Sequence, residues 1–251
     1  MKPIKDIELR EDIDELIEQM YNSGGFTAKK FALGIDILER MNREECTRFL
    51  SFPACIIATG VRGVIREFLR KKLVDVVITT TGTLDHDLAR IWRWEIGKRL
   101  EREKNKESSI VYWSWKNKIP IFIPGIMDGA VGSQLWFFWQ GNRDLKIDLF
   151  LDEQRLSDIV FNSKKTGALI IGGGISKHHT LWWNQFRDGL DYTVYITTAN
   201  EFDGSLSGAR TREAISWSQV GERAKHVTID GDATLILPFM SVALLRRLRL
   251  R

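Results

Sequence analysis

Short apolar runs alternate with longer amphipathic segments along most of this chain, and this alternation limits the possible fold more than any other feature. The apolar runs have the length of β-strands, and the amphipathic segments repeat their apolar positions with helical spacing. The predicted strands are Ala54–Ala58, Val74–Thr79, Ile119–Ile123, Ala168–Ile171, Tyr192–Ile196 and Val227–Ile229. The predicted helices between them are Gly60–Leu73, Leu84–Arg102, Ala130–Gln140, Asp152–Ser163, His178–Arg187 and Ala233–Arg247.

This order predicts an α/β fold in which right-handed crossovers build a doubly wound, mainly parallel sheet. Two further helices, Leu9–Met20 and Phe26–Met41, precede the first strand as a helical entry region. The sequence contains no Pro-, Gly- or Ser-rich linker and no internal repeat. We therefore expect residues 1–251 to form a single domain.

Composition excludes several classes of protein. The chain is 43% apolar and 28% charged, which rules out a disordered or fibrous protein, and a net charge of +4 is too small to indicate nucleic-acid binding. No apolar run approaches the roughly 20 residues that span a membrane, and the charged N-terminal segment lacks the apolar stretch of a secretory signal. Cys46 and Cys55 have no metal-ligand spacing. We expect a cytoplasmic protein with no bound metal.

Small and acidic residues follow the predicted strands, at the edge of a parallel sheet where ligands bind. These turns are Thr79–Thr83, Pro124–Gly129, Gly172–Gly174, Thr197–Ala199 and Asp230–Ala233. Glycine allows a ligand to approach the backbone, and a helix N-terminus offers unpaired N–H groups to phosphate, so together the turns could bind a dinucleotide. Each alone is weak evidence, because a glycine run without the GxGxxG spacing is more often only a tight turn.

Several longer segments resemble deoxyhypusine synthases. The most specific match is Gly172–His179, followed by Asp191–Ser205, Ser207–Arg210 and Glu213–Trp217, and shorter matches in the same order are Thr79–Gly82, Asp87-Leu88, Pro124–Gly129 and Gly231–Thr234. The resemblance extends from about Phe49 to the C-terminus, although the segment from Arg93 to Lys118 is shorter than its counterpart in the family. It implies a Rossmann-like domain, in agreement with the alternation of strands and helices.

The resemblance also implies a chemistry and an assembly. Deoxyhypusine synthases use NAD to oxidise spermidine, transfer its aminobutyl group to an enzyme lysine and then to a lysine of translation initiation factor 5A, and reduce the product with the retained NADH. They are homotetramers whose active sites are shared across a dimer interface. This chain is accordingly expected to use NAD and an amine substrate, with translation initiation factor 5A as a candidate partner.

The positions that match the family's cofactor contacts are Ala54–Ala58, Thr80, Thr81, Gly82, Asp128, Gly173, Thr198, Ala199, Asp232 and Ala233. A carboxylate at a strand end, such as Asp128 or Asp232, can accept hydrogen bonds from ribose hydroxyls. For Asp232 alone, an N-cap of the following helix is an almost equally good interpretation. The segment Phe52–Cys55 departs from the family's Thr, Ser/Gly, Asn pattern and removes polar groups from the expected cofactor site.

The family's catalytic lysine is replaced by Gln219, two residues after Ser216-Trp217. A glutamine amide has no available lone pair that could attack an imine carbon, so the covalent enzyme intermediate is not expected. Lys225 and Lys177 are two candidates for a displaced lysine, but both are more simply interpreted as solvated surface lysines.

The positions that match polyamine contacts have changed as well. They are Asp85, His86, Ser133, His178, Gly204, Leu206, Glu213 and Trp217. Ser133 and Leu206 stand where the family has acidic residues, and His86 stands where it has a glutamate. Trp182 replaces an asparagine. Because buried ammonium groups need carboxylate partners, we expect spermidine to bind poorly.

His178 and Trp217 each have two interpretations. The resemblance makes His178 a general base, whereas an isolated histidine is more often a buried group satisfied by the backbone. His179 is better explained as structural. Trp217 matches a wall of the polyamine channel but could instead pack in the core. The pairs Trp92/Trp94, Trp113/Trp115, Trp136/Trp139 and Trp182/Trp183 exceed what one core needs, and some of them should fill a subunit interface.

Three functions remain open from the sequence. The first is an NAD-dependent aminoalkyl transferase, acting on a polyamine or a related amine, whose catalytic positions are His178, Glu213, Trp217 and Gln219. The second is a non-catalytic paralogue that forms a heteromer with a lysine-bearing subunit. The third is a protein that only binds NAD. The first predicts a homotetramer, and the second predicts a mixed assembly.

Overall fold

The computed structural model describes residues 5–9, 11–88 and 103–250. Six parallel strands form one sheet, in the order β3-β2-β1-β4-β5-β6. The strands are β1 Thr47–Ser51, β2 Val76–Ile78, β3 Ile121–Phe122, β4 Thr166–Ile171, β5 Leu190–Thr197 and β6 Val220–Asp230. The helices are α1 Ile13–Asn22, α2 Phe26–Arg43, α3 Arg62–Arg70, α4 Gly82–Leu88, α5 Ile110–Asn117, α6 Ala130–Gly141, α7 Leu149–Phe161, α8 Gly174–Gln185, α9 Thr211–Ser216 and α10 Ala233–Arg247.

Helices cover both faces of the sheet, which confirms the predicted doubly wound fold. On one face α1, α2, α3, α5 and α10 enclose a core that includes Leu50 and Val194. On the other face α7, α8 and α9 enclose a second core that includes Phe49 and Tyr195. Neighbouring residues of β1 therefore point into different cores, as expected for a parallel sheet that is buried on both sides.

The first predicted strand was wrong. Ala54–Ala58 forms a 3₁₀ helix, and the strand that precedes it is Thr47–Ser51. Because this strand begins with Thr47 and Arg48, its apolar run is too short to show as a strand signal. Pro53 has no N–H to donate to a neighbouring strand, and it stands at the point where the chain leaves the sheet.

The sequence also failed to predict α5. Its N-terminus is capped by the Ser109 hydroxyl, which accepts a hydrogen bond from Tyr112 N at 2.9 Å, and Lys118 ends it in the left-handed conformation. Of the predicted helix Leu84–Arg102, α4 accounts for the first part; residues 89–102, with Trp92 and Trp94, lie outside the described residues. The other predicted elements agree within a few residues, except that β6 starts well before Val227.

A buried aspartate, Asp87, joins the residues that precede this undescribed segment to those that follow it. Asp87, at the end of α4, is fully buried and pairs with the guanidinium of Arg62, which is 5% exposed. The Asp87 carboxylate also accepts hydrogen bonds from Ser109 Oγ at 2.6 Å and from the first two backbone N–H groups of α5 at 3.0 and 2.8 Å. Asp87 thereby fixes the start of α5 to the end of α4.

In the described ranges, no helix has both the length and the apolar character needed to cross a membrane.

Candidate active site

The turns predicted to bind a cofactor meet at one edge of the sheet, because the carboxyl ends of all six strands lie there. The strand order reverses between β1 and β4, which places the crevice typical of dinucleotide sites between these two strands. The residues at this edge are Thr80, Thr81 and Gly82 after β2, Asp128 after β3, Gly173 after β4, Thr198 and Ala199 after β5, and Asp232 and Ala233 after β6.

Two threonines hold neighbouring turns together. Thr80 Oγ1 accepts a hydrogen bond from Ala54 N at 2.9 Å, and Thr81 Oγ1 donates one to the Gly125 carbonyl at 2.8 Å. The side chain of Thr81 is fully buried. Thr81 therefore positions the turn, and any contact with a ligand would fall to its neighbours.

Asp85 connects α4 to the N-terminus of α6. Its two carboxylate oxygens accept hydrogen bonds from Ala130 N at 3.0 Å and Val131 N at 2.8 Å. These bonds satisfy two of the N–H groups that a helix leaves without partners at its start. Any amine bound by Asp85 would share the carboxylate with this cap. His86 and Ser133 are exposed.

The loop after β5, residues 198–210, folds over the glycine turn after β4. A Cβ atom on Gly173 would lie 2.1 Å from Ser207 Oγ, so only glycine fits there. The Ser207 carbonyl accepts hydrogen bonds from Tyr195 Oη at 2.5 Å and Thr197 Oγ1 at 3.0 Å. Gly204 has a φ of +66° in the same loop, and Leu206 is exposed.

Lys177 lies beneath this loop, and its interpretation as a solvated surface lysine was wrong. It is 3% exposed, and burial lowers its pKa to about 8. Its Nζ donates hydrogen bonds to the Leu206 carbonyl at 2.7 Å and the Ala209 carbonyl at 2.5 Å, and lies 3.9 Å from the centroid of the Tyr195 ring. Two carbonyls and an aromatic face thus surround the ammonium group, which leaves no room for it to act as a nucleophile.

Lys225 is exposed, as expected, but it faces the wrong side of the sheet. It pairs in register with Tyr192 of β5, and the Tyr192 side chain belongs to the core under α2 and α10. Side chains at paired positions of adjacent strands share a face. Lys225 therefore lies on the face opposite α9, away from Trp217.

His178 is exposed on α8, so its interpretation as a buried histidine was wrong. Its ring centroid lies 5.6 Å from that of Trp182, and Trp182 in turn contacts Phe186 edge-on at 6.0 Å. His179 has a different environment, with Nε2 3.3 Å from Glu153 Oε1, and burial lowers its pKa. His178 is thus available to a ligand, whereas His179 is held in the structure.

Glu213, Trp217 and Gln219 follow one another along α9 and the turn after it. Glu213 is exposed and accepts a hydrogen bond from Arg210 N at 3.4 Å. Trp217 is 72% exposed, which contradicts a place in the core of the single chain. The Gln219 carbonyl accepts a hydrogen bond from Leu190 N at 3.0 Å, at the first residue of β5.

Gln219 therefore lies at the amino edge of the sheet, opposite the cofactor turns. From Leu190 to Thr197, β5 crosses the sheet over about 23 Å, taking 3.3 Å per residue. The position of the family's lysine and the turns at the carboxyl edge do not come together within one chain.

The backbone at the carboxyl edge fits a dinucleotide. The N-cap of α8 is Gly173, which offers no capping side chain, and a Cβ on the following Gly174 would meet nothing within 4 Å. Free N–H groups with open space beside them suit a phosphate. Asp232 is the N-cap of α10, and its Oδ1 accepts a hydrogen bond from Thr234 N at 2.7 Å, so the capping interpretation is confirmed. A contact between Asp232 and a ribose would have to be made while the carboxylate still caps the helix. A Cβ atom on Gly172 would lie 3.3 Å from Pro53 Cγ, so the turn after β4 packs against the segment Phe52–Cys55.

Arg210 is a site residue that sequence reasoning missed. Its guanidinium contacts Glu201 Oε1 at 3.0 Å and Asp230 Oδ1 at 2.5 Å, and Asp230 also pairs with Lys30 at 2.5 Å. This network ties the 198–210 loop to the end of β6. The sequence did offer one signal for this residue, because Arg210 ends the segment Ser207–Arg210, which resembles deoxyhypusine synthases.

Comparisons with known proteins identify the family of this chain. The model of the family described as "Deoxyhypusine synthase" matches residues 15–94 and 90–244. A protein from Picrophilus torridus described as "Probable deoxyhypusine synthase" is 48% identical, covering 98% of this chain and 97% of the relative. One from Thermoplasma acidophilum with the same description is 46% identical, covering 95% and 96%. A crystal structure from Entamoeba histolytica, also described as a deoxyhypusine synthase, has a TM-score of 0.66 at 20% identity and covers 96% of each chain.

The same comparisons locate the shortened segment. The alignment with the Picrophilus torridus protein runs over 307 positions, more than the 251 residues of this chain. The relative therefore carries residues that have no counterpart here. The two matches of the family model meet at residues 90–94, which places the shortening between α4 and α5.

Proposed function

Because this chain belongs to the deoxyhypusine synthase family, we propose that it is an NAD-dependent aminoalkyl transferase that acts on a polyamine or a related amine without an enzyme-lysine adduct. The second part of this proposal rests on the three positions considered for the lysine, all of which lie in the described part of the chain. Gln219 occupies the lysine position, Lys177 is surrounded by acceptors, and Lys225 faces the other side of the sheet.

The residues at the carboxyl edge would hold NAD, whose chemistry when bound is to accept a hydride from the amine donor. The N-terminus of α8 would face the phosphates, and Asp128 and Asp232 would accept hydrogen bonds from ribose hydroxyls. His178 is exposed and can take the proton that the donor loses on oxidation to an imine. An acceptor amine, such as the lysine side chain of translation initiation factor 5A, would then attack the imine carbon directly and displace the remainder of the donor as a free amine. The imine formed on the acceptor would regain the hydride taken from the donor and become a secondary amine.

The amine site would be less anionic than in the family. Glu213 remains available to pair with one ammonium group, whereas Ser133 and Leu206 offer no charge. Trp182, 45% exposed, and Trp217 supply apolar walls. A donor with fewer ammonium groups than spermidine fits this arrangement better, because each buried cation needs a partner.

A second copy of the chain would complete the site. Gln219 and Trp217 lie at or near the amino edge, so they reach a cofactor at the carboxyl edge only if it belongs to a neighbouring subunit. Exposed aromatic side chains on α6, Trp136, Phe137 and Phe138, add apolar surface of the kind that assembly buries. We therefore propose a homotetramer, in which the sites lie between subunits.

The same separation favours a second candidate function, that of a non-catalytic paralogue. A lysine-bearing partner could bring its own amine to this chain's carboxyl edge, so the loss of lysine at position 219 would not disable a mixed assembly.

Light scattering distinguishes the candidates, and we expect the chain alone to form a dimer or tetramer at micromolar concentration. If it is a paralogue, mixing it with a lysine-bearing copy from the same source should yield a heteromer more active than either alone. A stable monomer that forms no heteromer would contradict both and leave a protein that only binds NAD.

Cofactor binding is tested by titrating the tryptophan fluorescence with NADH. We expect saturable energy transfer, and Asp232→Ala should weaken binding by about 1–3 kcal/mol, the cost of losing a hydrogen-bonded carboxylate. Asp232→Asn is the matched control, since asparagine is also a good N-cap and preserves the start of α10. It should keep the melting temperature of the unaltered protein while still weakening binding. No saturation up to millimolar NADH would refute the proposal.

A further inference from the structure

We infer that Lys177 is a positioning residue of the candidate site, whose ammonium group fixes residues 205–209 of the 198–210 loop against the glycine turn after β4. The inference itself concerns the loop, and only its consequence for ligand binding rests on the proposed function. The loop contributes Leu206 and Gly204 to the predicted amine site and Thr198 and Ala199 to the predicted cofactor site.

The contacts beneath the loop come from three buried side chains that hold three carbonyl groups. Lys177 donates to the carbonyls of Leu206 and Ala209, while Tyr195 and Thr197 both donate to that of Ser207. Lys177 makes two of these four bonds and is the only one of the three side chains that carries a charge at neutral pH. Hydrogen bonds from a charged donor are about twice as strong as neutral ones.

Packing makes the position of the loop consequential. Gly173 touches Ser207 so closely that a Cβ atom would overlap it. The loop therefore cannot move any closer to the start of α8, and any independent movement of the loop must separate the two. The backbone within the loop is closed by hydrogen bonds from Gly208 N and Ala209 N to the Ser205 carbonyl, at 3.0 and 3.1 Å. If Lys177 releases its two carbonyls, these N–H groups are expected to open as well.

The surroundings of Lys177 explain why its charge is sensitive to pH. Tyr195 faces it from β5, Glu213 from α9 and Arg210 from the loop itself. Glu213 favours the ammonium form and Arg210 opposes it, but burial is the largest effect and lowers the pKa of Lys177 to about 8. Burial raises the pKa of Tyr195, so this phenol does not titrate in the same range.

Two quantities should respond to this deprotonation in the same direction. Between pH 8 and the ordinary lysine value of 10.5, the unfolded chain binds the proton that folded Lys177 has lost, so this group raises global stability with pH. Opening of residues 205–209 uncovers Lys177 and returns its pKa toward the ordinary value, so by the same linkage local opening decreases over this range. If the loop opened without releasing Lys177, only global stability would change with pH.

Hydrogen exchange measured by mass spectrometry on the full-length protein tests the inference. Exchange of the amides of Gly208 and Ala209, divided by the intrinsic rate at each pH, should fall above pH 8 in the unaltered protein. In Lys177→Met it should be about tenfold faster at pH 7, as expected for a weakened local structure, and independent of pH. Lys177→Arg should recover part of the protection, because it keeps a cationic donor. Lys165→Met is the matched control. It removes a lysine that pairs with Glu44 at the amino edge of the sheet, just before β4 and away from the loop.

A flat profile in the unaltered protein, or exchange in Lys177→Met within twofold of it, would overturn the inference. If Lys177→Met does not fold, the pH profile of the unaltered protein decides the matter. Exchange is measured without a ligand, so failure to bind NADH would refute the proposed function and leave this test standing. Where NADH does bind, its dissociation constant should fall above pH 8 in the unaltered protein and show no such fall in Lys177→Met.

Discussion

Replacement of Asp87 by alanine should lower the free energy of unfolding by about 3–5 kcal/mol, the usual cost of breaking a buried ion pair. The carboxylate is fully buried, and its loss would leave the Arg62 guanidinium without its charge partner. It would also free the Ser109 hydroxyl and two backbone N–H groups at the start of α5. Urea denaturation of the full-length protein, followed by circular dichroism, measures the change.

Two further variants separate the buried charge from other effects. Asp75→Ala removes an aspartate whose side chain is 40% exposed and pairs with Arg48, so it should cost about 1 kcal/mol or less. The double variant Arg62→Met, Asp87→Leu should be more stable than Asp87→Ala, because it removes both charges together. A loss below about 1 kcal/mol for Asp87→Ala would show that the pair does not hold α4 to α5.

The stability effect has a consequence for the site. Thr80, Thr81 and Gly82 lie immediately before or at the start of α4, and Asp87 ends the same helix. Relatives carry additional residues between α4 and α5, whereas this chain joins the two helices across a shorter segment. The Asp87 network fixes the end of α4 to the start of α5, and the first residues of α4 adjoin the turn after β2.

Gln219→Lys should convert a protein that forms no covalent adduct into one that does. Incubation with NAD and spermidine, reduction with borohydride and measurement of the intact mass should show no added aminobutyl group on the unaltered protein, since an amide cannot attack an imine. In Gln219→Lys the new amine occupies the family's position, and an adduct should appear and map to residue 219.

Additional substitutions test the amine site in the same assay. Leu206→Asp and Ser133→Asp, combined with Gln219→Lys, should raise the rate of adduct formation about tenfold or more, because each new carboxylate can pair with an ammonium group. Lys225→Met is the control and should change nothing. An adduct on Lys177 or Lys225 of the unaltered protein would contradict the proposed mechanism.

The alternation of strands and helices could be predicted from the sequence because it depends on local burial. Each strand of a doubly wound sheet is buried on both faces and each helix on one, and these patterns are visible within a few neighbouring residues. For the same reason the turns at the strand ends could be assigned to one edge of the sheet without coordinates. β1 is the exception, since its first residues are polar and its pairing with β2 and β4 is what makes it a strand.

The surroundings of individual side chains were decided only by the tertiary structure. Lys177 and Lys225 look alike in sequence, yet one is enclosed by carbonyls contributed from residues 206 and 209 and the other faces solvent on the opposite side. His178 and His179 are adjacent, but successive residues of a helix point about 100° apart, so one reaches the surface and the other reaches Glu153. The sequence places Gln219 by register at the lysine position, whereas its separation from the cofactor turns follows from the direction in which β5 and β6 cross the sheet.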